Sequence, residues 1–211
     1  MPILKGAVTL ARFRVEPDES TPKNWKKTFG QSLSARAFAP LDPSGPDERA
    51  QGFVELADHD LSEFGPGSVH EGEHALFAYR VDEVRIPSAV LKAELEKWVK
   101  QFQKENDRNP GKREKADQKA QIRQALRARF PVSTKVWDVS WNVEAGELGI
   151  WVSTRKAVDE VQEAIEKVFK LRLVPVVPAT VAHRLGFKDK SLVPTPELSL
   201  PDEEGGRRGE A

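Results

Sequence analysis

The strictest pattern in this chain is an alternation. Trp137, Val139, Trp141 and Val143 fall two residues apart, and after Glu144-Ala145-Gly146-Glu147 the same period resumes at Leu148, Ile150 and Val152. Side chains two apart share one face of a strand, so this stretch reads as a β-hairpin with its turn at 144–147. The alternation commits this part of the chain to antiparallel sheet.

Shorter signals flank the hairpin. Residues 6–15 read as a strand with Ala7, Thr9, Ala11, Phe13 and Val15 on one face and Arg12 and Arg14 on the other. Thr21 and Pro22 supply an N-cap and a first helical position, and Trp25, Phe29 and Leu33 follow at helical spacing. The turn-rich stretch 40–51 predicts a loop, 52–56 a short strand, 57–73 an acidic surface loop and 74–81 a second buried strand. Beyond the hairpin, Ser153 or Thr154 caps a helix that turns Val158, Val161, Ile165 and Val168 inward. Residues 171–177 form a last strand, and Pro175 assigns it to an edge or a bulge.

Between the two strand-rich parts the period changes to 3.6. Leu91, Leu95, Trp98 and Phe102 share one helix face after Pro87, Asn109-Pro110-Gly111 breaks the helix, and a second helix runs from about 112 to 129. Mixed strand and helix runs without βαβ repetition give the α+β class: antiparallel sheets with packed helices and a projecting helical-hairpin arm. The expected divisions are a β-α-β-β part of the body at 1–82, the arm at 83–131, a β-β-α-β part of the body at 132–187 and a disordered tail at 188–211.

Charge is distributed unevenly. The whole chain balances 33 Lys/Arg against 33 Asp/Glu, yet residues 83–130 hold 13 Lys/Arg and 7 Asp/Glu, a net of +6. On the second arm helix Lys112, Lys115, Lys119, Arg123 and Arg127 step by three or four residues and line one face. At 1.5 Å per residue the row is about 22 Å long, enough to meet several phosphates of a duplex. Lys97, Lys100 and Lys104 on the first arm helix, with Lys92, and Arg12 and Arg14 on the strand extend the expected DNA-binding set. Carboxylates intersperse the first helix, and a solvated charged face is the plainer account of any one of these residues.

Other chemistries find little support. No helix-turn-helix, zinc-ligand or basic-zipper spacing is present, so phosphate contacts would give affinity without sequence preference. Four of the five tryptophans, Trp25, Trp98, Trp137 and Trp141, fall on apolar faces, and Trp151 is the one expected to be exposed. With no cysteine, disulfides, thiolate metal sites and cysteine nucleophiles are excluded. Asp58-His59-Asp60, Glu63, His70, Glu71 and His74 have the chemistry of a divalent-metal site, but they lie in a Gly/Pro loop and read as an acidic solvated segment. No catalytic residue, metal, cofactor or small-molecule substrate is expected. No apolar leader or run of about 20 apolar residues appears, which predicts a cytoplasmic protein without a membrane partner.

The chain resembles the RdgC family of recombination-associated proteins over roughly residues 3–180. The resemblance rests on Ile86-Pro87-Ser88-Ala89-Val90-Leu91 opening a charged arm, the hairpin from Trp141 to Val152, and Leu173-Val174-Pro175-Val176-Val177-Pro178 after a helix. It implies a nucleoid protein that binds double-stranded DNA without sequence preference, forms ring-like dimers around the duplex and restrains RecA-type strand exchange by occupancy. It also implies a dimer contact at the arm tip through an Arg-Ala-Phe element, matched by Arg127-Ala128-Arg129-Phe130, with Arg129 and Phe130 as the contact residues. Family members are longer at the C-terminus, so an open clamp joined at the arm tips is the expectation here. Two alternatives stand beside it: a protein-interaction module using the arm, and a metal-dependent nuclease using the 58–74 loop.

Overall fold

A computed structural model describes residues 3, 9–42, 45, 47–188, 190 and 192. In chain order the elements are β1 (Ala11–Pro17), α1 (Phe29–Ser34), β2 (Arg49–Glu55), α2 (Pro66–Val69), β3 (His70–Glu71), β4 (His74–Val84), α3 (Ser88–Asn106), α4 (Lys112–Arg127), β5 (Val132–Asn142), β6 (Glu147–Ile150), α5 (Arg155–Phe169), β7 (Leu171–Pro175) and α6 (Pro178–Arg184).

The strands form one curled antiparallel sheet in the order β2-β4-β5-β6-β1-β7, with β3 folded back on the start of β4. β4 and β5 pair along their full length, from His74 opposite Asn142 to Val84 opposite Val132. The hairpin read from the alternation is present, and Gly146 takes the left-handed conformation (φ +66°) that its turn requires. β7 is an edge, as its proline demands.

One sheet face carries the core. Phe13, Val15, Phe53, Phe77, Tyr79, Val139, Trp141, Leu148, Ile150 and Leu173 meet Trp25, Phe29 and Leu33 from the α1 region and Val161, Ile165 and Phe169 from α5. Trp141 sits at the centre, with ring centroids 5.2 Å from Trp25 and Phe29 and 5.0 Å from Phe169. Buried aromatic clusters of this kind combine large apolar area with favourable edge and offset geometry. The opposite face is more polar, with a small cluster of Phe38, Val54 and Ala78 under the 37–38 segment.

Several boundaries differ from expectation. The helix after Thr21 is only α1, because residues 23–28 form turns closed by Trp25 N–H to Pro22 O and Lys27 N–H to Asn24 O. Trp25, Phe29 and Leu33 nonetheless keep their common buried face. β2 begins inside the predicted loop, at Arg49. The 57–73 stretch is not simply a surface loop: it contains α2 and β3, and Phe64 and Val69 enter the core. Trp98, Trp137 and Trp151 are all half-buried. α6 was not anticipated; Pro178 opens it and Thr180 Oγ1 accepts the Val177 N–H. The predicted strand residues 6–8 and residues 193–211 of the predicted tail lie outside the described residues.

Candidate nucleic-acid interface

The helical hairpin is inserted between Val84 and Val132, a pair that closes one end of the β4–β5 ladder. Leu91 and Leu126 are buried and Leu95, Trp98, Phe102 and Ile122 half-buried between or beneath the helices. Asp107 ends α3 in the left-handed conformation, and Arg108 lies over the Phe102 ring at 4.9 Å. Arg108 also donates two hydrogen bonds to Glu114, at 2.9 and 2.6 Å, while Glu114 Oε2 accepts the Gly111 N–H at 2.7 Å. The Arg108 guanidinium first, and the Gly111 amide second, hold the Glu114 carboxyl down at about 2.

The five-residue row on α4 divides in two. Lys112, Lys115 and Lys119 face solvent and have no carboxylate partner among the described residues. Arg123 is also exposed, but it forks onto both carboxylate oxygens of Glu48, whose carboxyl is lowered chiefly by that hydrogen bond. Arg127 must be withdrawn from the DNA-facing set. It is 5 % exposed, and its guanidinium donates to the carbonyls of Gly45 and of Asp42, the latter at 2.6 Å. A buried guanidinium held on backbone carbonyls cannot reach a phosphate. The sequence row misses this division because Glu48 and Asp42 come from far along the chain.

On α3, Lys97 bonds Glu94 at 2.7 Å and Lys92 stands 3.9 Å from Glu96, whereas Lys100 and Lys104 are exposed without a carboxylate partner among the described residues. Arg129 is exposed and Phe130 half-buried, but their expected place at the arm tip is corrected. α4 runs back from the tip, at Asp107–Gly111, toward β5, so both residues stand at the base of the hairpin, about 24 Å of helix away.

Arg12 and Arg14 belong to a second surface. The register sets Arg14, Glu147, Asn142 and His74 in one row across β1, β6, β5 and β4, and Arg12, Gly149 and Ser140 in the next. With Arg184 and Thr180 of α6 these residues line a cleft of about 470 Å³ on the polar face. No arm residue lines it. The sequence reading reached Arg12 and Arg14 but not Arg184, whose helix begins just past the proline-marked edge strand.

The 58–74 segment does not assemble a metal centre. Arg80 bonds Asp82 through Nε and Nη2 at 3.0 and 2.9 Å and takes Asp60 at 2.5 Å and the His59 carbonyl at 3.0 Å through Nη1. Its guanidinium also stacks over Phe38. Among the described residues no three His, Asp or Glu side chains gather as metal ligands. Among them, too, no helix is long and apolar enough to cross a membrane.

A protein-family model described as "Putative exonuclease, RdgC" matches residues 10–186. No curated protein matches the chain.

Proposed function

The chain belongs to the RdgC family, and from that premise we propose that it binds double-stranded DNA without sequence preference through the lysines its helical hairpin leaves facing solvent. The observation that carries this reading is the exposure of Lys112, Lys115 and Lys119 in one row with no carboxylate beside them. A cation already matched by a carboxylate gains little from a phosphate. An unmatched one releases the counterions that phosphates hold. Lys100 and Lys104 add to the same charge on α3, and the hairpin inserted at the end of the β4–β5 ladder is the element proposed to lie along the duplex. The protein acts by occupancy in the nucleoid, limiting RecA-type strand exchange, and has no catalytic step of its own.

The binding carries no base readout, since a row of lysines meets phosphates, not base edges. Fluorescence anisotropy with two duplexes of unrelated sequence and equal length tests this. Affinities agreeing within about twofold support the reading, because a single lost base contact already costs about 1–3 kcal/mol. A tenfold preference overturns it. Incubation of the same duplexes with Mg²⁺ or Mn²⁺ leaves them intact on this account, and loss of ends overturns the non-catalytic part. A homodimer is the assembly proposed. Sedimentation equilibrium then gives twice the chain mass, and a monomer at concentrations that saturate a duplex overturns this assembly.

A further inference from the structure

The cleft on the polar face is a place where charge, shape and apolar surface meet away from the arm. Its cations are Arg12, Arg14 and Arg184, with His74 at one end; its carboxylates are Glu16 and Glu147. Glu147 stands directly opposite Arg14 in the β1–β6 register, yet no ion pair joins them. Among the described residues none of the three arginines has a carboxylate within salt-bridge distance. Arginines left unpaired beside available carboxylates keep their planar forks for another acceptor, and a phosphate is the group those forks match.

The rest of the cleft is not a bare anion hole. Leu10, Val174, Val176 and Val181 supply apolar lining alongside the polar side chains of Ser140 and Asn142. Leu10 lies close because residue 149 is glycine: a Cβ there would meet Leu10 Cδ1 at 2.8 Å and Ser140 Oγ at 3.1 Å. Ser140 Oγ is held in place by the Trp151 Nε1–H at 2.9 Å. The volume suits a ligand of nucleotide size. We propose that this cleft binds a phosphorylated nucleoside, the phosphate held by Arg12 and Arg184 and the base laid against the apolar lining. The source is either a free nucleotide or the phosphorylated end of a DNA strand. The second source rests on the duplex-binding reading above, and the first does not.

Calorimetric titration of the full chain with dTMP, thymidine and inorganic phosphate, each alone, tests the proposal. dTMP binds about tenfold or more tightly than either fragment, and Arg12→Gln and Arg184→Gln each lower its affinity about tenfold, the loss expected for one charge-assisted contact. Both arginines are exposed, and unchanged melting temperatures verify that the variants fold. Lys115→Gln/Lys119→Gln on the arm leaves the dTMP titration unchanged. No dTMP binding, equal binding of phosphate or thymidine, or indifference to both arginine variants overturns the proposal. Competition by dTMP against duplexes with and without 5′-phosphates then separates the sources. A phosphate-dependent gain in duplex affinity that dTMP abolishes supports the strand end, and no gain supports the free nucleotide. If the chain binds dTMP but no duplex at low salt, the duplex reading fails and this one stands.

Discussion

Arg127 and its neighbours on α4 show how one sequence pattern can hold two kinds of residue. Spacing alone aligned five cations, and that much was legible. What each cation faces depends on Asp42, Gly45 and Glu48, which no local pattern predicts to lie beside α4. Arg127 is consumed by the carbonyls of Asp42 and Gly45, and Arg123 by Glu48. Arg127→Ala removes two hydrogen bonds made by a buried guanidinium, leaves the Asp42 carbonyl only its bond from the Gly45 N–H, and is expected to cost about 1–3 kcal/mol, read as a lowered midpoint in urea denaturation. Lys115→Ala, on a solvated face, should move stability by no more than about 0.5 kcal/mol. Equal effects of the two substitutions would mean that Arg127 is not the anchor described. A comparable device guards β7: Glu166 accepts the Leu173 N–H at 2.8 Å and Gln162 donates to the Leu173 carbonyl at 3.3 Å, which occupies backbone groups on a sheet edge.

Among the elements, those with long regular periods were read well. β5, α3 and α5 each carry a sustained apolar repeat and β4 a continuous apolar run, and their existence follows from it; α4 is poor in apolar residues and was read from the Asn109-Pro110-Gly111 break before it. Short elements held by distant contacts were not visible: α2 and β3 exist because Phe64 and Val69 are drawn into the core, and α6 because it turns back over the polar face. The hairpin tip is a further element whose closure depends on one carboxylate. Glu114 has an ordinary value of 4.5 and is lowered to about 2 in the folded chain, chiefly by Arg108. A depressed carboxyl contributes stability that is present above its unfolded value and lost as the pH falls through its folded one. Hydrogen exchange at the Gly111 amide should therefore stay slow at pH 5 and accelerate, relative to its intrinsic rate, between about pH 4.5 and 2. In Glu114→Gln the acceleration over that window disappears. Protection that is flat through it in the unmodified chain would contradict the assigned role of Glu114.

For the molecule as a whole, the β4–β5 ladder is the organising member. It spans ten residue steps, about 34 Å at the rise of an antiparallel strand, with the hairpin at its Val84–Val132 end and the cleft near its His74–Asn142 end. A neutral chain thus keeps two cationic surfaces apart, which net charge alone does not disclose. The α+β class and the family were both legible, the class from the switch between period 2 and period 3.6 and the family from segments at 86–91, 141–152 and 173–178. The candidate site was legible in part: the three outward lysines were found. The partnering of Arg123 and Arg127, the base position of Phe130 and the contribution of Arg184 required the fold, since each depends on residues distant in sequence.

The central claim is that Lys112, Lys115 and Lys119 are the duplex surface, and the most direct test is a salt titration of binding to a labelled duplex. The unmodified chain is compared with Lys112→Gln/Lys115→Gln/Lys119→Gln. The logarithm of affinity should fall linearly with the logarithm of salt concentration for both, with the slope of the variant shallower by about 2.7, the value for three lost phosphate contacts. A slope unchanged by the triple substitution, with affinity intact, would place the duplex elsewhere on the molecule.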